Sequence, residues 1–410
     1  MLTQRVVITG VGAYSPIGND WAEISANLRG LKSGVQHIEA WEEFDGLNTK
    51  LGAPVKTFTA PASFNRKRTR SMGRVAMLAT AASECALRDS GLLDDPVLKS
   101  GRVGVAYGSS TGSTDAITDF ANMLLTKTLD GITATTYIRM MGHTTPVNIG
   151  VFFGLQGRVI TTSSACTSGS QGIGYAYETI RNGAQDIMLA GGAEELCPTE
   201  AAVFDTLYAT STYNDRPDFS PRPFDRDRDG LVIGEGACTL VLERRDQALA
   251  RGAKIYAEIV GFDTNADGAH VTQPSPETMQ RVQEMALASA GLSPDAIGYV
   301  SAHGTATDRG DIAESHATQR VFGEQIPISS IKSYMGHTLG ACGALESWLA
   351  TEMMNSGWFA PTINLDNVDT ECASLDYICG NGRELDVEYV MNNNFAFGGI
   401  NTSIILRRHA

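Results

Sequence analysis

Short apolar segments bounded by glycine alternate with longer helical segments along this chain. The strand-like segments include "RVVITGVG", "RVGVAYGS", "DIMLAGGAEE", "IGYVSAHGT" and "NTSIILRR", and alanine-rich segments such as "GRVAMLATAASECALRDSG" lie between them. Strands that helices cover on both faces are buried, so their sequences are continuous apolar runs rather than alternating ones. The alternation therefore predicts an α/β protein with largely buried sheets.

Length, charge and cysteine usage limit the class of protein. The 410 residues suffice for one large domain or two intimate ones. The formal net charge of −14 argues against nucleic-acid or anionic-membrane binding. No apolar run approaches the roughly 20 residues that span a bilayer, and the start lacks a signal leader. The seven scattered cysteines, never spaced C-x-x-C, predict a reducing cytoplasmic location rather than a disulfide framework.

A faint internal repeat suggests a duplicated unit. "ACTSGSQGIGYAYETIRNG" from Ala165 resembles "GHTLGACGALESWLATEMMNSG" from Gly336, which sets Cys166 against His337. The halves divide near residue 255, giving predicted units 1–255 with the cysteine and 256–410 with the histidines. Two copies of one unit would bring equivalent helix starts together across a pseudo-twofold axis. Cys166 would then lie close to His337. Chance similarity between glycine-spaced helices is the alternative.

Four polar residues stand out in these segments. Cys166 follows small residues at a predicted helix start, where the helix dipole lowers a thiol pKa and favours thiolate. Its alternative role is that of an inert buried cysteine. His303 in "SAHGTATDRGD" and His337 in "KSYMGHTLGACG" suit the stabilisation of an oxyanion, although single histidines are more often ordinary hydrogen-bonding residues. Lys332 either supplies positive charge beside His337 or lies at the surface.

Further motifs are weaker. Phe397 begins a Phe-Gly-Gly turn whose N–H groups are able to form an oxyanion hole. "GSSTG" fits a hydrolase elbow with Ser110 as the nucleophile, so a serine hydrolase stays an alternative. "ITGVGAYS" lacks the third glycine of a dinucleotide fingerprint. "DRDRDG" resembles the start of a calcium loop, but Gly236 occupies the position of the required glutamate, which favours an ion-paired structural loop.

Five segments together resemble a known family. "SSACTSGSQGIG", "RPFDRDRDGLVIGEGA", "SAHGTATDRGD", "KSYMGHTLGACGALE" and "NNFAFGGIN" are similar, in order and spacing, to the signature blocks of β-ketoacyl-ACP synthases I and II. These condensing enzymes of fatty acid synthesis are relatives of polyketide ketosynthases, and the similarity covers nearly the whole chain. It implies a thiolase-like α/β fold, with two βαβαβαββ halves stacked in five layers, α-β-α-β-α, usually as a dimer.

The resemblance implies a role for each matching residue. Cys166 corresponds to the nucleophile that accepts the acyl chain, and His303 and His337 to the histidine pair of the decarboxylation site. Lys332 matches the lysine beside that pair, and Asp311 and Glu314 match the two supporting acidic residues. Phe397 matches the gating phenylalanine. The residues that match the acyl pocket are Thr111, Met140 and Met141.

The implied reaction is a decarboxylating Claisen condensation of malonyl-ACP with the acyl chain on Cys166, with no metal or organic cofactor. The implied partners are acyl carrier protein and a second subunit, either identical or a ketosynthase-like chain-length subunit. A non-catalytic chain-length factor of the same fold is an alternative, but such proteins typically lack the cysteine. Asp308, Ala396 and Ile400 depart from the family pattern, as do Cys238 and Cys342. These departures fit a specialised polyene or polyketide enzyme as readily as a primary fatty acid enzyme.

Overall fold

The computed structural model describes residues 3–409. Its strands, numbered in chain order, are β1 (Val6–Tyr14), β2 (Gln36–His37), β3 (Leu51–Ala53), β4 (Val103–Gly108), β5 (Val159–Thr161), β6 (Ile187–Glu194), β7 (Ile233–Gly234), β8 (Gly236–Arg244), β9 (Ala257–Ala266), β10 (Ile297–Ser301), β11 (Pro327–Ser329), β12 (Trp358–Phe359), β13 (Asp376–Tyr377), β14 (Arg383–Glu384), β15 (Tyr389–Ala396) and β16 (Ile400–Arg408).

The α-helices, numbered in the same way, are α1 (Trp21–Arg29), α2 (Arg66–Thr69), α3 (Arg74–Asp89), α4 (Thr114–Thr126), α5 (Ala134–Met140), α6 (Thr144–Phe153), α7 (Ser168–Arg181), α8 (Pro198–Asp205), α9 (Arg245–Ala250), α10 (Pro276–Ala290), α11 (Asp308–Phe322), α12 (Lys332–Met335) and α13 (Cys342–Ser356). Short 3₁₀ turns at Ala165–Thr167 and Leu339–Ala341 directly precede α7 and α13. None of the described helices is long and apolar enough to span a bilayer.

The large sheet has 11 strands in the order β13-β11-β10-β15-β16-β9-β1-β8-β6-β4-β5. The order is mirrored about its centre, because β1-β8-β6-β4-β5 on one side matches β9-β16-β15-β10-β11 on the other. The two halves are joined where β1 and β9 pair antiparallel, with Val6 opposite Ile259. Segments that resemble each other in sequence therefore occupy equivalent places: β1 and β9, β4 and β10, α7 and α13. The predicted boundary near residue 255 falls between α9 and β9, and the division into two units stays a prediction.

The helices form layers on and between the two halves of this sheet. α7 contacts β4 and β6 of the first half and β9 and β16 of the second, and α13 contacts β15 and β16 as well as β6 and β8. These two helices therefore lie between the halves. α3 and α6 cover the outer face of the first half, and α10, which packs against α11, covers that of the second. The predicted α/β class and α-β-α-β-α layering are confirmed.

Small residues let α7 fit between the two halves of the sheet. Eleven of its 14 residues are buried, so the helix has no broad solvent-facing side. At Gly172, a Cβ atom would lie 2.7 Å from the carbonyl oxygen of Gly191 and 2.9 Å from that of Ala106. Both atoms belong to strand backbone that cannot move without disturbing the sheet. The glycine spacing of this segment thus serves close packing between a helix and the strands beside it.

We expect Gly172→Ala to destabilise the protein by about 1–3 kcal/mol, because the added methyl group overlaps the backbone of β4 and β6. Thermal unfolding followed by circular dichroism measures the effect as a lowered Tm. Gly150→Ala is the matched control, since it is also a helical glycine but its Cβ meets nothing within 4 Å. The control is expected to keep or raise the Tm, as alanine is the better helix former. Equal Tm values for the two variants would contradict this account of α7.

Candidate active site

The starts of the two central helices bring a cysteine and a histidine together. Cys166 lies in the 3₁₀ turn before α7, and His337 comes just before the equivalent turn that leads into α13. The Sγ atom of Cys166 is 2.9 Å from Nε2 of His337, and both side chains are buried. The pairing suggested by the internal repeat is thus present in the structure. A thiol and an imidazole in direct contact can exchange a proton.

A second histidine completes the cluster. His303 follows the end of β10, and its ring centre is 5.1 Å from that of His337, with the ring planes at 89°. One ligand atom from each of Cys166, His303 and His337 lies within 4.8 Å of the other two. A thiolate with two imidazoles is also a donor set that Zn²⁺ accepts. The expectation that the site works without a metal stays a prediction.

The proton of His303 is placed by its neighbours. Its Nδ1 atom lies 3.2 Å from Nζ of Lys332 and 3.4 Å from Nδ2 of Asn394. Both neighbouring atoms carry only hydrogens to donate, so Nδ1 accepts and Nε2 carries the proton. Glu346 holds both donors in place, because its carboxylate forms an ion pair with Lys332 and accepts from Asn394 Nδ2 at 2.7 Å. Asn394 is oriented in turn by Asn392, whose Nδ2 donates to its Oδ1 at 3.2 Å.

Sequence reasoning assigned no role to Glu346 or Asn394. Each carried a weak signal: Glu346 is the acid within the otherwise apolar "CGALESWLA", and Asn394 ends a run of three asparagines in a strand that leads to Phe397. Polar residues that occur within buried elements need hydrogen-bond partners, and here those partners are the catalytic candidates.

The two predicted supporting acids hold the loop that carries His303. The carboxylate of Glu314 accepts the backbone N–H groups of His303 and Gly304, each at 2.7 Å. Asp311 accepts the N–H of Thr305 at 3.0 Å and that of Phe224 at 2.7 Å. Burial raises the pKa of Asp311 to about 6 and that of Glu314 to about 8. Neither side chain contacts the sulfur, so both act on the backbone that positions the imidazole.

Burial dominates the electrostatics of the thiol. It raises the pKa of Cys166 to about 12, although the charge of Lys332 and the N–H groups of Phe397 and Cys166 itself favour the thiolate. The sequence-based expectation of a lowered thiol pKa is therefore wrong in its net direction, because loss of water outweighs the helix start. Burial and the nearby Lys332 hold the pKa of both His303 and His337 well below its usual range. At neutral pH the resting site is an uncharged thiol beside uncharged imidazoles.

A cavity of about 620 Å³ opens onto these groups and is lined by Cys166, His303, His337 and Phe397. The ring of Phe397 packs against Phe204, with ring centres 4.8 Å apart. Gly398 and Gly399 follow with φ of 86° and 68°, values that favour glycine, so the predicted tight turn is present.

The three residues predicted to line the acyl pocket are not among those that line this cavity. Thr111 precedes Gly112 in the chain, and a Cβ atom at Gly112 would lie 2.2 Å from the carbonyl oxygen of Met140. Met141 directly follows α5. The predicted pocket role of Thr111, Met140 and Met141 stays a prediction.

Two alternative motifs prove to be structural. Both the backbone N–H of Ser110, at 2.8 Å, and its hydroxyl bind the carboxylate of Glu194. This contact is with an acid rather than a histidine, which disfavours a serine hydrolase. In the loop that resembles a calcium site, Asp225 pairs with Arg222 at 3.2 Å and accepts the N–H groups of Asp366 and Asn367, each at 2.8 Å. It is the ion-paired structural loop that the sequence favoured.

Cys238 and Cys342, the two cysteines that differ from the family pattern, are both buried. Cys238 lies within β8, and Cys342 begins α13, where its thiol donates to the carbonyl of Cys166 at 3.2 Å.

Comparison with known families assigns the chain. Residues 3–248 match the model of the β-ketoacyl synthase N-terminal domain, and residues 256–366 match that of the β-ketoacyl synthase C-terminal domain. The chain belongs to the β-ketoacyl synthase family. Similar curated relatives are 3-oxoacyl-[acyl-carrier-protein] synthase 2 of Vibrio cholerae, 38% identical with 100% of both chains covered, and 3-oxoacyl-[acyl-carrier-protein] synthase 1 of Escherichia coli K12, 36% identical with 99% of both covered.

Solved structures of synthases share the fold. A β-ketoacyl synthase from Burkholderia phymatum is 58% identical with a TM-score of 0.98, covering 99% of this chain and 100% of that one. The ishigamide ketosynthase/chain length factor is 32% identical with a TM-score of 0.90 and 100% of both chains covered. A type II polyketide ketosynthase in complex with its acyl-carrier protein is 32% identical with a TM-score of 0.87, covering 99% and 100%. The expected thiolase-like fold is thereby confirmed.

We expect Glu346→Leu to destabilise this synthase by about 3–5 kcal/mol, because it leaves the buried Lys332 cation without a counter-charge. The double variant Lys332→Met with Glu346→Leu is expected to regain most of the lost Tm in thermal unfolding. Glu277→Gln, which breaks the exposed pair with Arg320, serves as the control and leaves the Tm unchanged. A double variant no more stable than the single one would show that the charge imbalance is not the cause.

Proposed function

We propose that this chain is a β-ketoacyl-ACP synthase, an acyltransferase that extends a cysteine-bound acyl chain by condensation with malonyl-ACP and release of CO2. The observation that carries the proposal is the contact of 2.9 Å between Cys166 Sγ and His337 Nε2, with His303 in the same cavity. A family match and relatives named 3-oxoacyl-[acyl-carrier-protein] synthase support it.

In the first half-reaction, Cys166 Sγ attacks the thioester carbon of acyl-ACP. The new S–C bond forms as the bond to the carrier's sulfur breaks, and the thiol proton passes through His337 to that leaving sulfur. A resting thiol with a raised pKa needs a base at the moment of attack, and His337 is the base in contact with it. Its lowered pKa keeps the imidazole uncharged and able to accept the proton.

In the second half-reaction, malonyl-ACP enters the same cavity. The Nε2–H of His303 donates to the thioester carbonyl, so the electron pair released as the C–CO2 bond breaks is held as an enolate beside the neutral His337. The enolate carbon attacks the acyl thioester on Cys166. The N–H groups of Cys166 and Phe397 hold the resulting oxyanion, which collapses to the β-ketoacyl product and releases Cys166 as thiolate for reprotonation.

Catalysis fits this site better than a non-catalytic chain-length role. Cys166 and both histidines are present and in contact distance, and a chain-length factor has no use for a nucleophile. We assign the chain to fatty-acid-type elongation, with a polyene or polyketide pathway as the second candidate. The ishigamide and polyketide neighbours support the second, as do Ala396 and Ile400, which flank the Phe397 turn at the ends of β15 and β16.

Acyl carrier protein and a second ketosynthase-like subunit are the proposed partners. The complexes in two structural neighbours support this, as does β5, which lies at the edge of the sheet with Val159 half exposed. We further propose a cytoplasmic location, which the seven free cysteines support. The division into units 1–255 and 256–410 is supported by the mirrored strand order. The acyl pocket is proposed to run past Thr111, Met140 and Met141.

We expect Cys166→Ala to abolish condensation while the variant still decarboxylates malonyl-ACP, because the histidines and the cavity remain. Condensation is measured by mass spectrometry of the ACP-bound product and decarboxylation by release of labelled CO2. Cys379→Ser, which replaces an exposed cysteine, is the control and retains both activities. Condensation by the Cys166→Ala variant would remove the cysteine from the mechanism.

We expect titration of the histidines to leave the decarboxylation rate of Cys166→Ala unchanged between about pH 6 and 8, because both imidazoles stay neutral throughout that range. Any change within this range follows the ionisation of Asp311 and Glu314, which hold the His303 loop and have pKa values of about 6 and about 8. Protonation of His303 at Nδ1, which sets a cation against Lys332, lowers the rate only at lower pH. The rate is followed across buffers of constant ionic strength, with circular dichroism at each pH to confirm folding. An inflection near the ordinary histidine pKa of 6.5 that persists in the Asp311→Asn variant would contradict the neutral-imidazole assignment.

A further inference from the structure

Glu194, at the end of β6, and Glu200, on α8, have buried carboxyl oxygens without hydrogen-bond donors. Glu194 is fully buried and Glu200 is 8% exposed. No N–H group and no Ser, Thr or Tyr hydroxyl of the described residues donates to Oε1 of Glu194 or to either carboxyl oxygen of Glu200. Buried polar atoms are almost always paired, so three such oxygens in one place require an explanation.

A proton shared between Glu194 and Glu200 accounts for two of these three oxygens. Oε2 of Glu194 already accepts the N–H of Ser110 at 2.8 Å, the N–H of Gly340 at 3.0 Å and the Ser110 hydroxyl, which identifies Glu194 as the carboxylate. Burial and the charge of the neighbouring Glu194, to which Glu200 hydrogen-bonds, raise the pKa of Glu200 well above its usual range. Two adjacent buried carboxyl groups cannot both ionise, so Glu200 keeps its proton and donates it to Oε1 of Glu194. One oxygen of Glu200 is then left as an acceptor without a donor.

Glu200 lies close to the residues that surround Cys166, the proposed carrier of the acyl chain. Glu200 lies on α8 one turn before Phe204, and both residues belong to its buried face together with Ala201. Ala201 and Phe204 pack in the same apolar cluster as Cys166 and Phe397. The carboxylate of Glu194 is bound on one side to the turn that follows His337 and on the other to Ser110, the neighbour of Thr111 in the proposed acyl pocket. The acid pair thus borders the catalytic cluster and, through Ser110, lies next to the segment that is proposed to line the acyl pocket.

We propose that Glu200 determines acyl-chain specificity, and that the enzyme prefers acyl groups with a hydroxyl, alcoholic or phenolic, at the end remote from the thioester. The hydroxyl donates its hydrogen to the free oxygen of Glu200. A methyl end of the same length covers this oxygen without supplying a donor, so it is disfavoured. This inference rests on the proposed function, since it concerns the chain that Cys166 carries.

The test compares paired acyl-ACPs of equal chain length that end in a methyl or a hydroxyl group, together with a phenyl and hydroxyphenyl pair. The rate of Cys166 acylation is read from intact-protein mass spectra. The wild type is expected to favour the hydroxylated member of at least one pair by about tenfold or more, with the preference concentrated at the matching length. Glu200→Leu is expected to lose that preference, and Glu200→Gln, which keeps an acceptor and a donor, to retain most of it.

Val203→Ala is the matched control, because Val203 lies on the same helix but is 53% exposed. It is expected to leave the preference unchanged. Should Glu200→Leu not fold, Glu200→Met and the wild-type ratios alone decide the matter. A wild type that prefers the methyl member of every pair, or an equal preference in wild type and Glu200→Leu, overturns the inference and leaves a buried water as the donor. A wild type that neither acylates Cys166 nor decarboxylates malonyl-ACP overturns the proposed function itself, and this inference with it.

Discussion

The close approach of the two central helices at their first turns is the constraint on which the site depends. At Gly169 of α7, a Cβ atom would lie 2.8 Å from the carbonyl oxygen of Gly340, which leads into α13. Glycine therefore allows the two helix starts to meet between the halves of the sheet, and this meeting places Cys166 against His337. The layers, the mirrored strand order and the small residues of α7 all serve that one juxtaposition.

The charged groups nearest this contact, Lys332 and Glu346, pair with each other, and Lys332 contacts His303 rather than the sulfur of Cys166. Glu346 neutralises Lys332, and Asn394 and Lys332 together fix which nitrogen of His303 carries the proton. Each of these groups is buried, so each must be satisfied by another, and the network forms one unit rather than separate contacts. The site therefore offers directed hydrogen-bond donors and neutral bases instead of a resting thiolate–imidazolium pair.

Much of this arrangement follows from sequence patterns. The α/β alternation and the repeat identify the fold class and the partnership of Cys166 with His337, because both are recorded in short segments with regular spacing. The roles of Glu346 and Asn394 cannot be predicted from such patterns, because the contacts of Asn394 with Glu346 and His303 join positions 48 and 91 residues apart. The thiol pKa cannot be predicted from them for a related reason. The local helix start favours thiolate, but burial is a property of the whole tertiary structure. No sequence pattern identifies Glu200 either, because only the tertiary structure shows that its carboxyl oxygens lack donors.

The uncharged resting state of Cys166 also bears on the chemical durability of the enzyme. Peroxides oxidise thiolates far more readily than thiols, and the first product, a sulfenic acid, would block acyl transfer. A thiol whose pKa is raised by burial presents almost no thiolate to such oxidants while the site is empty. Its reactive form arises only when a bound thioester is ready to be attacked and His337 takes the proton. The same desolvation that makes the nucleophile depend on its histidine thus protects it between turnovers.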